Sequence, residues 1–244
     1  MTALLQVEGL SKRFGGFVAL DGIQLEVQDG ERLGLIGPNG SGKSTLVNCI
    51  CGTLRNEMGS VRFAGEVVDG LSAHERTRRG LARSFQLPRP FGSLTLADNL
   101  RIPILYGVNA RNHGAVAGDA IAGRCRELLG EVGLADKADR LPRDLTQIEM
   151  RKLELARAMA AQPRLLIADE AMAGLSNAEI DEIIALLIRL NGQGVTVILI
   201  EHIMRAVMAF SQRIAVLVAG KKIADGLPKD VVRDPDVVRA YLGE

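Results

Sequence analysis

The chain's 244 residues suffice for one sizeable α/β core, or one with a smaller insertion, and are too few for two complete domains of that kind. Thirty basic against 29 acidic residues, spread along the chain, give a formal net charge of +1, which leaves no basic footprint for nucleic acid. Hydrophobic residues reach 47%, yet the longest apolar runs, such as Val195–Ile200, have strand length, far short of the ~18 residues of a spanning helix; with no long apolar core at the N-terminus and only three cysteines, the chain is expected in a reducing cytoplasm.

Leu4–Glu8 and Gly22–Val27 alternate apolar and polar residues, as half-buried antiparallel strands do, and predict an N-terminal β region. Between them lies Arg13-Phe14-Gly15-Gly16-Phe17-Val18; Phe14 either stacks on a nucleobase or fills the core at a turn. Glu31–Ile36 reads as a buried strand that enters Gly37-Pro38-Asn39-Gly40-Ser41-Gly42-Lys43-Ser44-Thr45, after which a helix begins. That stretch fits G-x-x-x-x-G-K-[ST]. Its glycines let successive N–H groups and a helix N-terminus point at a polyphosphate, Lys43 supplies charge for the β- and γ-phosphates, and the Ser44 hydroxyl suits Mg²⁺. Cys49 and Cys51, two apart on the helix, face different sides and read as buried small side chains rather than a metal site.

Gly59–Phe63 is predicted as a strand, Ala73–Arg79 as a short charged helix and Leu81–Gln86 as a strand ended by Pro88 and Pro90. From Leu94 to Ala161 the pattern is helical, interrupted by a polar, Gly-rich connection over Val108–Gly118. Strand–helix alternation then resumes: Arg164–Glu170, a helix over Ala178–Leu190, Val195–Ile200 running into Glu201-His202, strands at Arg213–Val218 and Lys221–Asp225, and a closing helix over Pro235–Leu242. Parallel strands with crossover helices need both faces covered, so a three-layer α/β sandwich is expected.

Four groups fall at carboxyl ends of these strands, where open α/β sheets bind ligands: the P-loop, Gln86, Asp169-Glu170 and His202. Asp169 suits a carboxylate that holds Mg²⁺ through its water shell, and Glu170 one that orients or deprotonates the water attacking a γ-phosphate; the alternative is a pair of helix-capping acids. A His202 ring nitrogen can hydrogen-bond the γ-phosphate and the attacking water. Gln86 offers an uncharged oxygen to Mg²⁺ and adjoins the helical segment. His74 and His113 read as structural or surface residues.

In this order the motifs resemble the ATP-binding subunit of an ABC transporter over essentially the whole chain. Leu10-Ser11-Lys12-Arg13-Phe14-Gly15-Gly16, Arg83-Ser84-Phe85-Gln86, Glu201-His202-Ile203-Met204 and Val238-Arg239-Ala240-Tyr241-Leu242-Gly243 resemble the branched-chain amino acid branch, whose members also import amides and urea. The resemblance implies the α/β P-loop fold of the ABC ATPases: one nucleotide-binding domain over 1–244, with an N-terminal antiparallel β region and an inserted helical subdomain at about 87–162. It implies adenine stacking by Phe14, Walker A at Gly37–Thr45, the Q-loop at Gln86, Walker B at Asp169, the catalytic glutamate at Glu170 and the switch histidine at His202, with ATP and Mg²⁺ as ligands. It further implies a dimer with itself or a sister ATPase, two membrane permease subunits, a periplasmic solute-binding protein, and a place at the inner face of the cell membrane.

Two departures stand out. The signature, normally L-S-G-G-Q, is Leu145-Thr146-Gln147-Ile148-Glu149; Thr146 keeps a hydroxyl and a helix N-terminus still faces a phosphate, while Ile148 replaces a glycine and Glu149 brings negative charge toward the nucleotide. Ser176 stands where Asp is usual, and Ala171 where Pro is usual. The altered signature favours a rival reading, an ATP-binding regulatory or structural half of a heterodimer with weak hydrolysis, which the retained Glu170 and His202 oppose. A third reading is another P-loop enzyme, such as a GTPase or small-molecule kinase; the lack of an N-K-x-D base-reading motif counts against a GTPase.

Overall fold

The computed structural model describes residues 3–85, 88–108 and 118–242. Two sheets organise it. An antiparallel sheet of order β2-β1-β4-β5 is formed by β1 (Ala3–Phe14), β2 (Phe17–Gln28), β4 (Met58–Phe63) and β5 (Glu66–Val67). A second sheet, of order β10-β9-β3-β8-β7-β6, combines β3 (Arg32–Ile36), β6 (Leu81–Ser84), β7 (Leu165–Asp169), β8 (Thr196–Ile200), β9 (Arg213–Val218) and β10 (Lys221–Gly226). All its pairings are parallel except that of β10 with β9.

The parallel strands are apolar throughout because both faces are covered. On β7, Leu165 and Ile167 face a core shared with the antiparallel sheet and α1 (Lys43–Cys51), whereas Leu166 and Ala168 face the helical layer. α1 is thus held between the two sheets by Leu46, Val47 and Ile50. α2 (Ala73–Arg78) precedes β6, and between β6 and β7 the chain forms α3 (Leu96–Pro103), a π-helical turn at Ile104–Val108, α4 (Gly118–Glu131) and α5 (Gln147–Ala160). Buried Asn99 ties the entry to α3, donating to the carbonyls of Phe91 and Leu94 and accepting from the Phe91 N–H. α6 (Asn177–Gly192), α7 (Met204–Phe210), α8 (Pro228–Val231) and α9 (Pro235–Leu242) complete the chain. Among the described residues no helix is long and apolar enough to cross a membrane.

Three differences from the sequence expectations have physical reasons. β1 and β2 run to Phe14 and Phe17, past the alternating stretches, because register shifts within β1 break the two-residue period without ending the ladder. α1 begins at Lys43, inside the glycine motif. Glu170 is not part of β7: its φ of 47° turns the chain out of the sheet directly after Asp169.

Candidate functional site

β3 lies between β8 and β9, with β7 beside β8 and β6 beyond, so the chain segments leaving β3, β8, β7 and β6 emerge side by side. The segment after β3 is the glycine loop. Gly42 caps α1 with φ 103° and no side chain, and a Cβ there would stand 2.6 Å from the Ala19 carbonyl; the first-turn N–H groups therefore carry no side-chain cap. Such a terminus binds anions. Lys43 curls over the loop, donating to the Gly37 and Pro38 carbonyls at 2.7 and 3.0 Å. Burial holds its pKa below the ordinary lysine value, opposed by the charges of Glu170 and Asp169. Ser41 is buried and Ser44 exposed on the first turn. Phe14 sits opposite Phe17 at the hairpin tip, 51% exposed, with the Lys12 ammonium 5.6 Å from its ring; the same hairpin presses Ala19 and Leu20 against Gly42. Behind the loop, Val237 of α9 packs with Ile36, and the Tyr241 phenol, whose pKa burial raises, meets the Gly37 N–H.

Asp169 ends β7 buried, accepting from Arg83 Nη2 at 2.5 Å. Glu170 is half-buried at the next position, its N–H donated to the Ile200 carbonyl of β8 at 2.9 Å, which fastens the turn to the neighbouring strand. His202 is exposed, with Nδ1 3.9 Å from Glu201 Oε2. Gln86 lies outside the described residues. The structure thus brings the P-loop, the Asp169-Glu170 pair and His202 to one sheet edge.

Thr146 and Glu149 stand at the N-terminus of α5 and form a reciprocal capping box. Glu149 Oε2 accepts the Thr146 N–H at 3.0 Å, and Thr146 Oγ1 accepts the Glu149 N–H at 3.4 Å. Glu149 Oε1 also accepts from Lys137 at 2.6 Å, and these bonds hold its pKa below the usual carboxylate range. The negative charge expected to face a nucleotide is neutralised within the chain. Gln147 and Arg151 both donate to the Ala173 carbonyl, tying α5 to the turn that follows Glu170. Ser176 caps α6 with Glu179 in the same manner as Thr146 caps α5.

Reading the sequence missed Glu201 and Arg83. Glu201 is 1% exposed; Oε1 accepts the Met172 N–H at 2.9 Å, and Oε2 accepts no hydrogen bond among the described residues, lying 3.9 Å from His202 Nδ1. Burial raises its pKa above the ordinary carboxylate value, against the Met172 hydrogen bond. A carboxyl raised on folding contributes stability that is fully present below its unfolded pKa, about 4.3, and is lost as pH rises through the folded value. The contribution of Glu201 to the melting temperature is therefore expected to fall from about pH 4.5 upward. Glu201→Gln, which retains the acceptor for Met172, should flatten that fall, with buried Glu154, also raised, keeping part of it. Equal slopes for both proteins in melts between about pH 4.5 and 8 would count against this assignment.

A glycine loop at a helix N-terminus, with a buried carboxylate and a following glutamate at the carboxyl edge of a parallel sheet, defines a P-loop nucleotide-binding protein of the α/β class. Residues 20–173 match the family described as ABC transporter, and residues 221–244 that described as branched-chain amino acid ATP-binding cassette transporter. The chain is 39% identical over 250 residues to the high-affinity branched-chain amino acid transport ATP-binding protein BraF of Pseudomonas aeruginosa, covering 99% of this chain and 98% of that one. Among solved structures, MJ1267, an ATP-binding cassette of an ABC transporter in its ADP conformation, aligns with a TM-score of 0.89 at 31% identity over the whole of both chains. The dimeric post-hydrolysis cassette MJ0796, bound to ADP and phosphate, aligns at 0.81 and 26% identity over 92% of this chain and 98% of that one. The chain belongs to the ABC transporter family and is its ATP-binding, ATP-hydrolysing cassette.

Proposed function

We propose that the chain energises import of branched-chain amino acids or related solutes by binding and hydrolysing ATP at a dimer interface. The observation that carries this is the convergence of the P-loop, Asp169-Glu170 and His202 at the ends of adjacent strands β3, β7 and β8. In this reading the 1–244 chain is one nucleotide-binding domain with a helical subdomain at about 87–162. The backbone N–H groups over Gly37–Thr45 (Gly37, Pro38 excepted as it has none, Asn39, Gly40, Ser41, Gly42, Lys43, Ser44 and Thr45) surround the phosphates, and Phe14 stacks on the adenine. Lys43 exchanges its carbonyl partners for β- and γ-phosphate oxygens.

The oxygens of Ser44, Asp169 and Gln86 are a hydroxyl, a carboxylate and an amide, the hard donor set that Mg²⁺ takes. Mg²⁺ would supply neutralisation of charge on the β- and γ-phosphate oxygens. Glu170 accepts a proton from the attacking water, and His202 orients that water against the γ-phosphate. Thr146 and Glu149 cap the α5 N-terminus that faces a partner's nucleotide. Closure of two such chains excludes water and aligns the reactants. The cassette works at the cytoplasmic face on two permease subunits, fed by a periplasmic solute-binding protein. An open groove of about 460 Å³ beside Arg83, rimmed by the exposed rings of Phe85, Phe91 and Tyr106, is where a permease segment fits this reading.

A second reading, a nucleotide-binding half with weak hydrolysis, is favoured by the capping box: the N–H groups of Thr146 and Glu149 are spent within the chain, and Ile148 packs on the helical core. The test is ATP turnover by the purified chain, alone and with a sister ATPase. Turnover only with the sister fits a heterodimer in which this chain's signature serves the weaker site. Under that reading, Ile148→Gly with Glu149→Gln should raise turnover of the chain alone; brisk hydrolysis at both sites of a wild-type homodimer would rule the asymmetry out.

A further inference from the structure

Arg83 has the features of a site residue that the roles above leave unused. It is the third residue of β6, between buried Ala82 and Ser84, with its side chain 15% exposed. Its guanidinium joins three elements. Nη2 donates to Asp169 Oδ2 at 2.5 Å, Nη1 donates to Asn48 Oδ1 on α1 at 2.7 Å, and the guanidinium carbon lies 5.2 Å from the centroid of the Phe85 ring. Nε has no partner among the described residues, so the group is held by its two terminal nitrogens and its stacking face. An arginine cannot shed its charge, and a guanidinium is less strongly hydrated than an ammonium, so it tolerates this enclosed position.

We propose that Arg83 is a resident counter-cation for Asp169, which keeps a divalent ion from binding the carboxylate ahead of nucleotide. This rests on the reading of Asp169 as an ion-binding carboxylate. A divalent ion at Asp169 enters against a fixed positive charge already bonded to one of its oxygens, and Lys43 adds a second cation within electrostatic range of the carboxylate. With Glu170, whose charge also acts on Lys43, two carboxylates face two cations, so a divalent ion meets no net negative charge at the site. The phosphates of a nucleotide reverse the balance, so ion and nucleotide bind together. Arg83 acts through Asp169 and is a positioning residue; its stacking on Phe85, half exposed in the groove, links the carboxylate to that surface.

The experiment measures Mn²⁺ binding by the loss of the free-ion paramagnetic resonance signal, with and without an ATP analogue. Three variants separate charge from hydrogen bonding: Arg83→Met removes both, Arg83→Gln keeps a donor without charge, and Arg83→Lys keeps the charge. Without nucleotide, the Met and Gln variants should bind Mn²⁺ about tenfold or more tightly than wild type, the scale of one nearby charge, while the Lys variant stays near wild type. Affinity for the analogue with metal chelated should change little, since the P-loop is untouched. Should Arg83→Met fail to fold, Arg83→Gln carries the same comparison. Unchanged or weaker Mn²⁺ binding in the neutral variants overturns the proposal, as does a Gln variant that matches wild type, which would assign the effect to orientation. Asp169→Asn in the Arg83→Gln background should abolish the gained site. If wild type with nucleotide binds no Mn²⁺, or if Asp169→Asn leaves that binding intact, the reading of Asp169 itself fails.

Discussion

Glu170→Gln is expected to lower ATP turnover by about 10²–10⁴-fold, the contribution of a positioned general base, while ATP affinity stays close to wild type. The expectation follows from how the chain delivers the side chain. Asp169 is the last strand residue and is buried, so a regular continuation would turn the next side chain into the opposite core. Instead Glu170 takes φ 47°, a left-handed conformation that non-glycine residues rarely adopt and that costs about 1–3 kcal/mol. Its N–H bond to Ile200 stabilises this turn from β8, the strand that leads to His202. The strain puts a carboxylate at the sheet edge beside Lys43, whose pKa it raises against the effect of burial. Glutamine reproduces the shape and turn but cannot take a proton. The check is steady-state phosphate release beside size-exclusion chromatography in ATP: the variant should hold nucleotide in a dimer that wild type passes through. Turnover within about twofold of wild type would assign Glu170 to capping rather than chemistry.

The parts of this site that local rules govern were legible in the sequence. The glycine loop reads directly because the backbone itself does the binding, and the apolar strands β7 and β8 read as buried because both faces of a parallel sheet are covered. What escaped depends on groups far apart in sequence. Glu149, compared with a glutamine in the family pattern, reads as a negative charge aimed at a nucleotide. Its local spacing from Thr146 is that of a capping box, and Lys137, 12 residues earlier, completes its neutralisation. Ser176 likewise replaces an aspartate and serves as the cap of α6, a role the Ser176-x-x-Glu179 spacing announces. Arg83 and Glu201 looked like ordinary charged residues at strand ends. Their burial follows from neighbours 86 and 29 residues away, Asp169 and Met172, which no periodicity reveals. The alternation in β1 ends before the strand does because its bulges shift the register.

Arg76 carries the largest expected effect on stability. It lies on α2, the helix that reads from sequence as short and charged, yet it is 2% exposed. Nη1 donates to the carbonyls of Cys49 and Ile50 at 2.7 and 2.8 Å, Nε to that of Leu71 at 3.2 Å and Nη2 to that of Asp69 at 3.3 Å. The last carbonyls of a helix lack intrahelical partners and carry the negative end of its dipole. α1 has no basic residue in its own last turn, so Arg76 supplies the cation from another element. Burial lowers its pKa, opposed chiefly by the Asp69 charge. Arg76→Met keeps much of the stem's packing but removes the donors to all four carbonyls; that of Cys49 keeps the Gly52 N–H at 3.3 Å, while that of Ile50, at the buried helix end, loses the guanidinium. The expected loss is about 1–3 kcal/mol, or roughly 2–12 °C in melting temperature for a chain of this size. Arg76→Lys should recover only part, since one ammonium cannot reach all four carbonyls in the geometry of a planar fork. Because α1 presents the phosphate-binding N–H groups at its other end, added ATP should still raise the melting temperature of the Met variant by mass action. A loss below about 1 kcal/mol in denaturant unfolding would mean that water reaches these carbonyls and that α1 is anchored by its apolar contacts to the two sheets alone.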